Sequence, residues 1–154
     1  MAAERRAWSW ALGGWVGLLL VLTLVPQAQV RGVNLVPLVE VSRAIRSVLA
    51  SPHPSQHPAF QYLLVQVVGN VVAFVPLGFA AAGLFSFRSP RLGAAARAVA
   101  TGFGLSLSIE LLQLMLATRA TDVDDLIFNT TGTVLGAALL LLWTGRPRPA
   151  ATVR

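Results

Sequence analysis

The sequence predicts an all-α, polytopic membrane protein with four transmembrane helices and a short amphipathic interfacial helix in the first outer loop. Three observations predict this. The 154 residues are 55% hydrophobic and only 12% charged, about half the charged share of a soluble protein. The apolar residues gather in four long runs, about 8–26, 62–85, 98–117 and 126–143. As a helix, each run is long enough to cross roughly 30 Å of hydrocarbon. Few polar residues interrupt the runs, whereas a soluble core helix of that length would carry a polar face.

The first run follows Arg5 and Arg6. It exceeds the roughly 7–15-residue core of a signal peptide, and "PQAQ" (Pro26 to Gln29) is a poor cleavage site, so it reads as an uncleaved span. Residues 27–61 then form a loop with structure of its own. Leu38, Val41, Ile45 and Val48 fall at helical spacing, with Glu40, Arg43, Arg46 and Ser47 elsewhere around the wheel. That pattern suits a helix lying on the interface. "SPHPSQHP" (Ser51 to Pro58) ends it, because prolines so closely spaced cannot continue a helix. For the same reason His53 and His57, four apart, are not read as a metal site.

The second run starts at Tyr62 and contains Asn70 and Pro76; the proline frees a backbone carbonyl near Val72 and kinks the span. The third contains one ionisable residue, Glu110. The fourth begins after "TDVDD", where Thr121 with Asp124 matches a capping box and acidic residues suit a helix N-terminus. Within it, Gly132 and Gly136 form a GxxxG face able to approach another helix closely. There is no convincing internal repeat. The membrane domain is assigned to residues 1–145 and a cytoplasmic tail to 146–154.

Arginine placement sets the predicted orientation. Arg5, Arg6, Arg88, Arg91, Arg97, Arg146, Arg148 and Arg154 fall on one side of the four spans, and Arg31, Arg43, Arg46 and Arg119 on the other. The positive-inside rule then puts both termini in the cytoplasm. Trp8, Trp10 and Trp143 at the cytoplasmic end and Tyr62 at the outer end fit the usual interfacial belts. Although the formal net charge is +6, no basic run with interleaved aromatics appears, which argues against nucleic-acid binding. The chain has no Cys, which excludes disulfides and thiol catalysis.

Ionisable residues inside a span are costly and mark a site by default. Ser106, Glu110 and Gln113 share one face of the third span at i, i+4, i+7 spacing, with Gly102 one turn further down. At 1.5 Å per residue, Glu110 lies about 10 Å below the outer surface. Asn70 lies at comparable depth, and Asn129 one turn inside the fourth span. Together with Asn34, Arg119, Asp122, Asp124 and Asp125, these residues all map to the outer half or the outer loops. Helix capping accounts for some of the Asp residues but not for three of them, nor for Arg119. An outward-facing polar pocket explains the whole set, with Glu110 and Asn70 as its floor.

Four blocks carry a resemblance: "NLVPL" (Asn34 to Leu38), "GNVVAFVPLGF" (Gly69 to Phe79), "SLSIELLQ" (Ser106 to Gln113) and "RATDVDDLIFNTTG" (Arg119 to Gly132). In this order they resemble the VanZ-like family, named after the teicoplanin-resistance accessory protein of glycopeptide-resistant bacteria. The resemblance implies a small helical protein of the bacterial cell membrane linked to the cell envelope or glycopeptide response. Matching positions imply a ligand-binding set of Asn34, Asn70, Glu110, Gln113, Arg119, Asp122, Asp125 and Asn129.

The leading functional expectation is a site in the outer leaflet that binds a membrane lipid, a cell-envelope precursor or another envelope-associated amphiphile, with an acylated glycopeptide antibiotic as a possible ligand. A second is a membrane-embedded enzyme in which Glu110 and Asp125 perform acid–base chemistry on a lipid-linked substrate. There is no nucleophile elbow, HExxH or Walker A motif to support a named reaction. A third is a transporter or scaffold, assembled as a homodimer through Gly132 and Gly136. No cofactor and no metal is assigned.

Overall fold

The computed structural model describes residues 1–24, 33–116 and 121–144. Four helices in it are long and apolar enough to cross a membrane: Ala2–Leu24, Pro58–Phe85, Arg91–Met115 and Val123–Thr144. The elements in chain order are α1 (Ala2–Leu24), β1 (Val33–Asn34), α2 (Val39–Ala50), α3 (Pro58–Leu63), a π-helical stretch (Leu64–Gly69), α4 (Asn70–Phe85), α5 (Arg91–Leu116), β2 (Thr121–Asp122) and α6 (Val123–Thr144). The helices extend past the apolar runs. α1 takes in Glu4, Arg5 and Arg6, and α5 starts at Arg91, because a helix does not stop where the hydrocarbon does.

The second span begins at Pro58 rather than Tyr62. Proline suits the first helical turn, where its missing N–H costs nothing. The Ala59 N–H donates to His57 Nδ1 at 3.2 Å, so His57 caps this helix. The proline-rich segment before it still makes one 3₁₀ turn, Pro54–Gln56.

α4 is the central helix and packs on α6, α5 and α1. Small residues let the backbones approach, as membrane helix packing requires. A Cβ on Gly132 would fall on the carbonyl oxygen of Val71, and one on Gly136 on that of Val75. The GxxxG face of α6 is therefore occupied by α4 of the same chain. The close approach that the sequence allows to a second copy is made internally. Thr133, fully buried, fills the junction of three helices: a Cβ on Gly78 would meet its carbonyl, and one on Gly102 its side chain.

One end of the bundle is apolar and aromatic. Phe79 lies between Trp8 and Trp143, with ring centroids 5.7 and 5.8 Å away. Arg91 at the start of α5 donates to the carbonyl of Thr144 at the end of α6, 2.9 Å. Midway along, the indole N–H of Trp15 donates to the Ala73 carbonyl at 2.8 Å. That carbonyl is three residues before Pro76, where the proline interrupts the backbone ladder of α4. The sequence gives Trp15 no role; in the structure it docks α1 on α4 one turn before Pro76.

The opposite end carries the polar residues. β1 and β2 pair in parallel, with Val33 opposite Thr121 and Asn34 opposite Asp122. α2 packs on α3 through buried Val41 and Ala44. Leu38, Ile45 and Leu49 point away and are 46, 43 and 78% exposed. The stripe read from the sequence thus divides between a face docked on the protein and a face left for an interface.

Candidate functional site

The polar end is built as layers of hydrogen bonds between the helices. In the uppermost layer, Asp122 Oδ1 accepts from Asn34 Nδ2 at 3.0 Å and from the Asp124 N–H at 2.9 Å. The second bond caps α6. Asp122 is therefore the N-cap residue, one position later than the Thr121 cap expected from the sequence. The reason is local: Thr121 and Asp122 are committed to the strand pairing with Val33 and Asn34, so the helix starts at Val123. Asp124 has a partner in another element. Its Oδ1 accepts from the Leu38 N–H at 2.6 Å, tying α6 to the start of α2.

Leu38 needs that tie. Its φ is +60° and ψ 10°, left-handed backbone in a residue that is not glycine. Such a conformation costs roughly 1–2 kcal/mol and persists only where the surroundings fix it. Asn34 helps by accepting from the Val36 N–H at 3.2 Å, closing a turn between β1 and α2.

In the next layer, Glu110, only 6% exposed, accepts from the Asp122 N–H through Oε2 at 3.1 Å. Asn70 donates to Asp125 Oδ1 at 2.5 Å. Asn70 is the first residue after the π-helical stretch, whose wider turn resets the phase of the helix below it; such stretches recur at functional sites. Deeper still, Asn129 donates to Ser106 Oγ at 2.9 Å, and both are buried. Gln113, 3% exposed, donates to the Thr23 carbonyl at 2.7 Å and so holds the end of α1.

The sequence-derived set therefore meets in pairs: Asn34 with Asp122, Asp122 with Glu110, and Asn70 with Asp125. Asn129 meets Ser106, and Gln113 reaches a backbone carbonyl instead of another member. Arg119 lies outside the described residues. Two contributors were assigned other duties by the sequence. Asp124 reads there as a cap, yet it is 2% exposed and the most buried acid among the described residues with printed exposures. Tyr62 reads as an interfacial anchor, yet Asp122, Asp124, Glu40 and Asp125 all lie within electrostatic range of its phenol. Electrostatic reach of this kind leaves no trace in spacing, because it joins α2, α3 and α6.

Asp122 lies outside the spanning helices. Burial pushes its carboxyl above the ordinary aspartate value, and the neighbouring Asp124 charge acts in the same direction; the hydrogen bonds from the Asp124 N–H and Asn34 oppose them. Three buried oxygens at this end have no hydrogen-bond partner among the described residues: Asp124 Oδ2, Asn129 Oδ1 and Gln113 Oε1. All three are acceptors. Buried polar atoms are nearly always satisfied, so the site suits an occupant that brings donors. Among the described residues, no group of three His, Cys, Asp or Glu side chains is arranged to hold a metal.

Two cavities are relevant. An apolar groove of about 490 Å³ lies between α1 and α4, against Trp8, Trp15, Pro76 and Phe79. A smaller cleft of about 200 Å³ lies between α2 and α3, beside Tyr62.

A family model described as VanZ/LLP1 matches residues 11–144. No curated protein and no solved structure gives a significant match to the chain. The match runs from within α1 to the end of α6 and takes in every layer of the polar end. By that match, the chain is a member of the VanZ/LLP1 family.

Proposed function

We propose that this VanZ/LLP1 family member binds a membrane lipid or envelope-associated amphiphile at its polar end. In this reading it sits in the bacterial cell membrane with both termini in the cytoplasm and the polar end outward, and it serves glycopeptide (teicoplanin-type) resistance or envelope homeostasis. The arginine bias supports the orientation. Arg119 meets an anionic headgroup, and Glu110 and Gln113 meet the buried polar portion of the ligand.

The observation that carries the reading is the trio of buried acceptor oxygens on Asp124, Asn129 and Gln113 without partners among the described residues. Structural glue alone would use polar groups in matched pairs, since an unmatched one costs about 1–3 kcal/mol. The test is extraction of the purified protein, with the released amphiphiles identified by mass spectrometry. The expected result is one enriched species near equimolar amount, lost from Asn70→Ala and Asp125→Asn variants. A lipid profile identical to that of the surrounding micelle, and the same in the variants, would overturn it.

A further inference from the structure

The cleft between α2 and α3 is lined by Glu40, Arg43, Ala44, Ser47, Ala59 and Tyr62. Its contents are unusual for a surface dent. Arg43 Nη1 donates to both oxygens of Glu40, at 2.7 and 2.8 Å. The pair is exposed. Of the guanidinium donors, the described bonds use only Nη1, so its other edge points to no described acceptor. On the far wall, Tyr62 brings an aromatic ring and a hydroxyl. Asp122, Asp124 and Asp125 are not part of the cleft lining but lie within electrostatic range of that hydroxyl. The cleft therefore presents both signs of charge on its α2 wall, Arg43 and Glu40, and an aromatic hydroxyl on the wall opposite. Following Tyr62 along the chain, Leu64, Val65 and Val68 are exposed on the π-helical stretch and form an apolar track leading into the span.

We propose that this cleft is a subsite for the zwitterionic headgroup of an amine-bearing phospholipid, with its phosphate on Arg43 and its ammonium beside Glu40 and Tyr62. The proposal rests on the lipid-binding reading above and revises one part of it: the anionic group given there to Arg119 is the phosphate of a zwitterion, held by Arg43. Charge decides the class. An anion has one guanidinium to meet here, already paired with Glu40, whereas a headgroup carrying both signs matches both members of the pair. The ammonium also gains from the Tyr62 ring face, as cations do over aromatic rings. Ser47, which donates to the Arg43 carbonyl at 3.1 Å, keeps the floor narrow. The acyl chains follow Leu64, Val65 and Val68 toward the bilayer.

The test uses the full-length protein in detergent, titrated with phosphatidylethanolamine, phosphatidylglycerol or phosphatidic acid, with the thermal midpoint as readout. Phosphatidylethanolamine is expected to stabilise at about tenfold lower concentration than the other two, about 1.4 kcal/mol. Ser47→Trp, which plugs the cleft, and Glu40→Gln, a conservative change at an exposed position, are expected to abolish that preference. Arg46→Gln, outside the cleft, is expected to keep it. Equal or better stabilisation by phosphatidylglycerol overturns the proposal, as does a preference that survives both Ser47→Trp and Glu40→Gln. Glu110→Gln separates the two readings. Lipid stabilisation lost in Glu110→Gln but untouched by the cleft variants leaves the polar-end site standing without this subsite. Stabilisation insensitive to all of them removes both.

Discussion

Replacing Gly136 by Ala adds one methyl group at the tightest helix seam. The new Cβ would fall on the carbonyl oxygen of Val75 and lie 2.8 Å from the Phe79 nitrogen. Both are backbone atoms, so no side chain can swing aside; α4 and α6 must part. Overpacking of this kind costs about 1–3 kcal/mol. Against it stands the better helix propensity of Ala over Gly, about 1 kcal/mol. Gly104→Ala supplies the control, because it brings the same propensity gain with nothing within 4 Å of its Cβ. The difference between the two variants isolates the contact, about 1–3 kcal/mol. For a chain of this size that is about 2–4 °C in midpoint per kcal/mol. The assay is thermal unfolding of both variants in the same detergent, with size measured by light scattering. The expected outcome is Gly136→Ala well below Gly104→Ala, at the same particle size as the parent. Equal midpoints would refute the internal seam. A change in oligomer size with an unchanged midpoint would show that this face meets a second copy instead.

Other variants test the polar end. Leu38→Gly relieves the left-handed backbone and should raise stability by about 1 kcal/mol; a loss would mean that the Leu38 side chain matters more than its φ. Asp122→Asn keeps the oxygen that accepts from Asn34 and Asp124 but removes a carboxyl whose value burial raises. A raised value in the folded state means that protonation favours the fold. This group's contribution is therefore full below the unfolded value and fades as pH rises through the folded one. Denaturation at stepped pH above about 4 should show the parent losing stability relative to Asp122→Asn, and parallel curves would contradict the burial. Trp15→Phe removes the bond to the Ala73 carbonyl and should cost about 1 kcal/mol, read as a lower midpoint with unchanged helix content.

Some of this was legible in the sequence for definite physical reasons. A span must be apolar over a fixed length, so four runs gave four helices, and only their charged ends extended further. The gathering of Asn34, Asn70, Glu110, Asp122, Asp125 and Asn129 at one end of the bundle was also readable, because polar residues in spans are rare enough for their depth to carry information. Their partners were not readable. Thr121 and Asp124 fit a cap locally, but the strand pairing of Val33 and Asn34 with Thr121 and Asp122 is a contact across most of the chain, and it moved the cap to Asp122. The left-handed Leu38 has no glycine or asparagine to announce it. Tyr62 has the same sequence signature whether it anchors at an interface or lies within electrostatic range of four carboxylates. The GxxxG of α6 states that a helix comes close, not whether that helix belongs to the same chain.

The most direct test of the lipid-binding account is stabilisation by lipid as a function of Glu110 and Arg119. The full-length parent, Glu110→Gln and Arg119→Gln are purified in one detergent, titrated with total lipid extract of the expression host, and melted. The account predicts a saturable rise in midpoint for the parent, lost in Glu110→Gln and weakened in Arg119→Gln, while all three melt alike without added lipid. The same rise in all three proteins would contradict it.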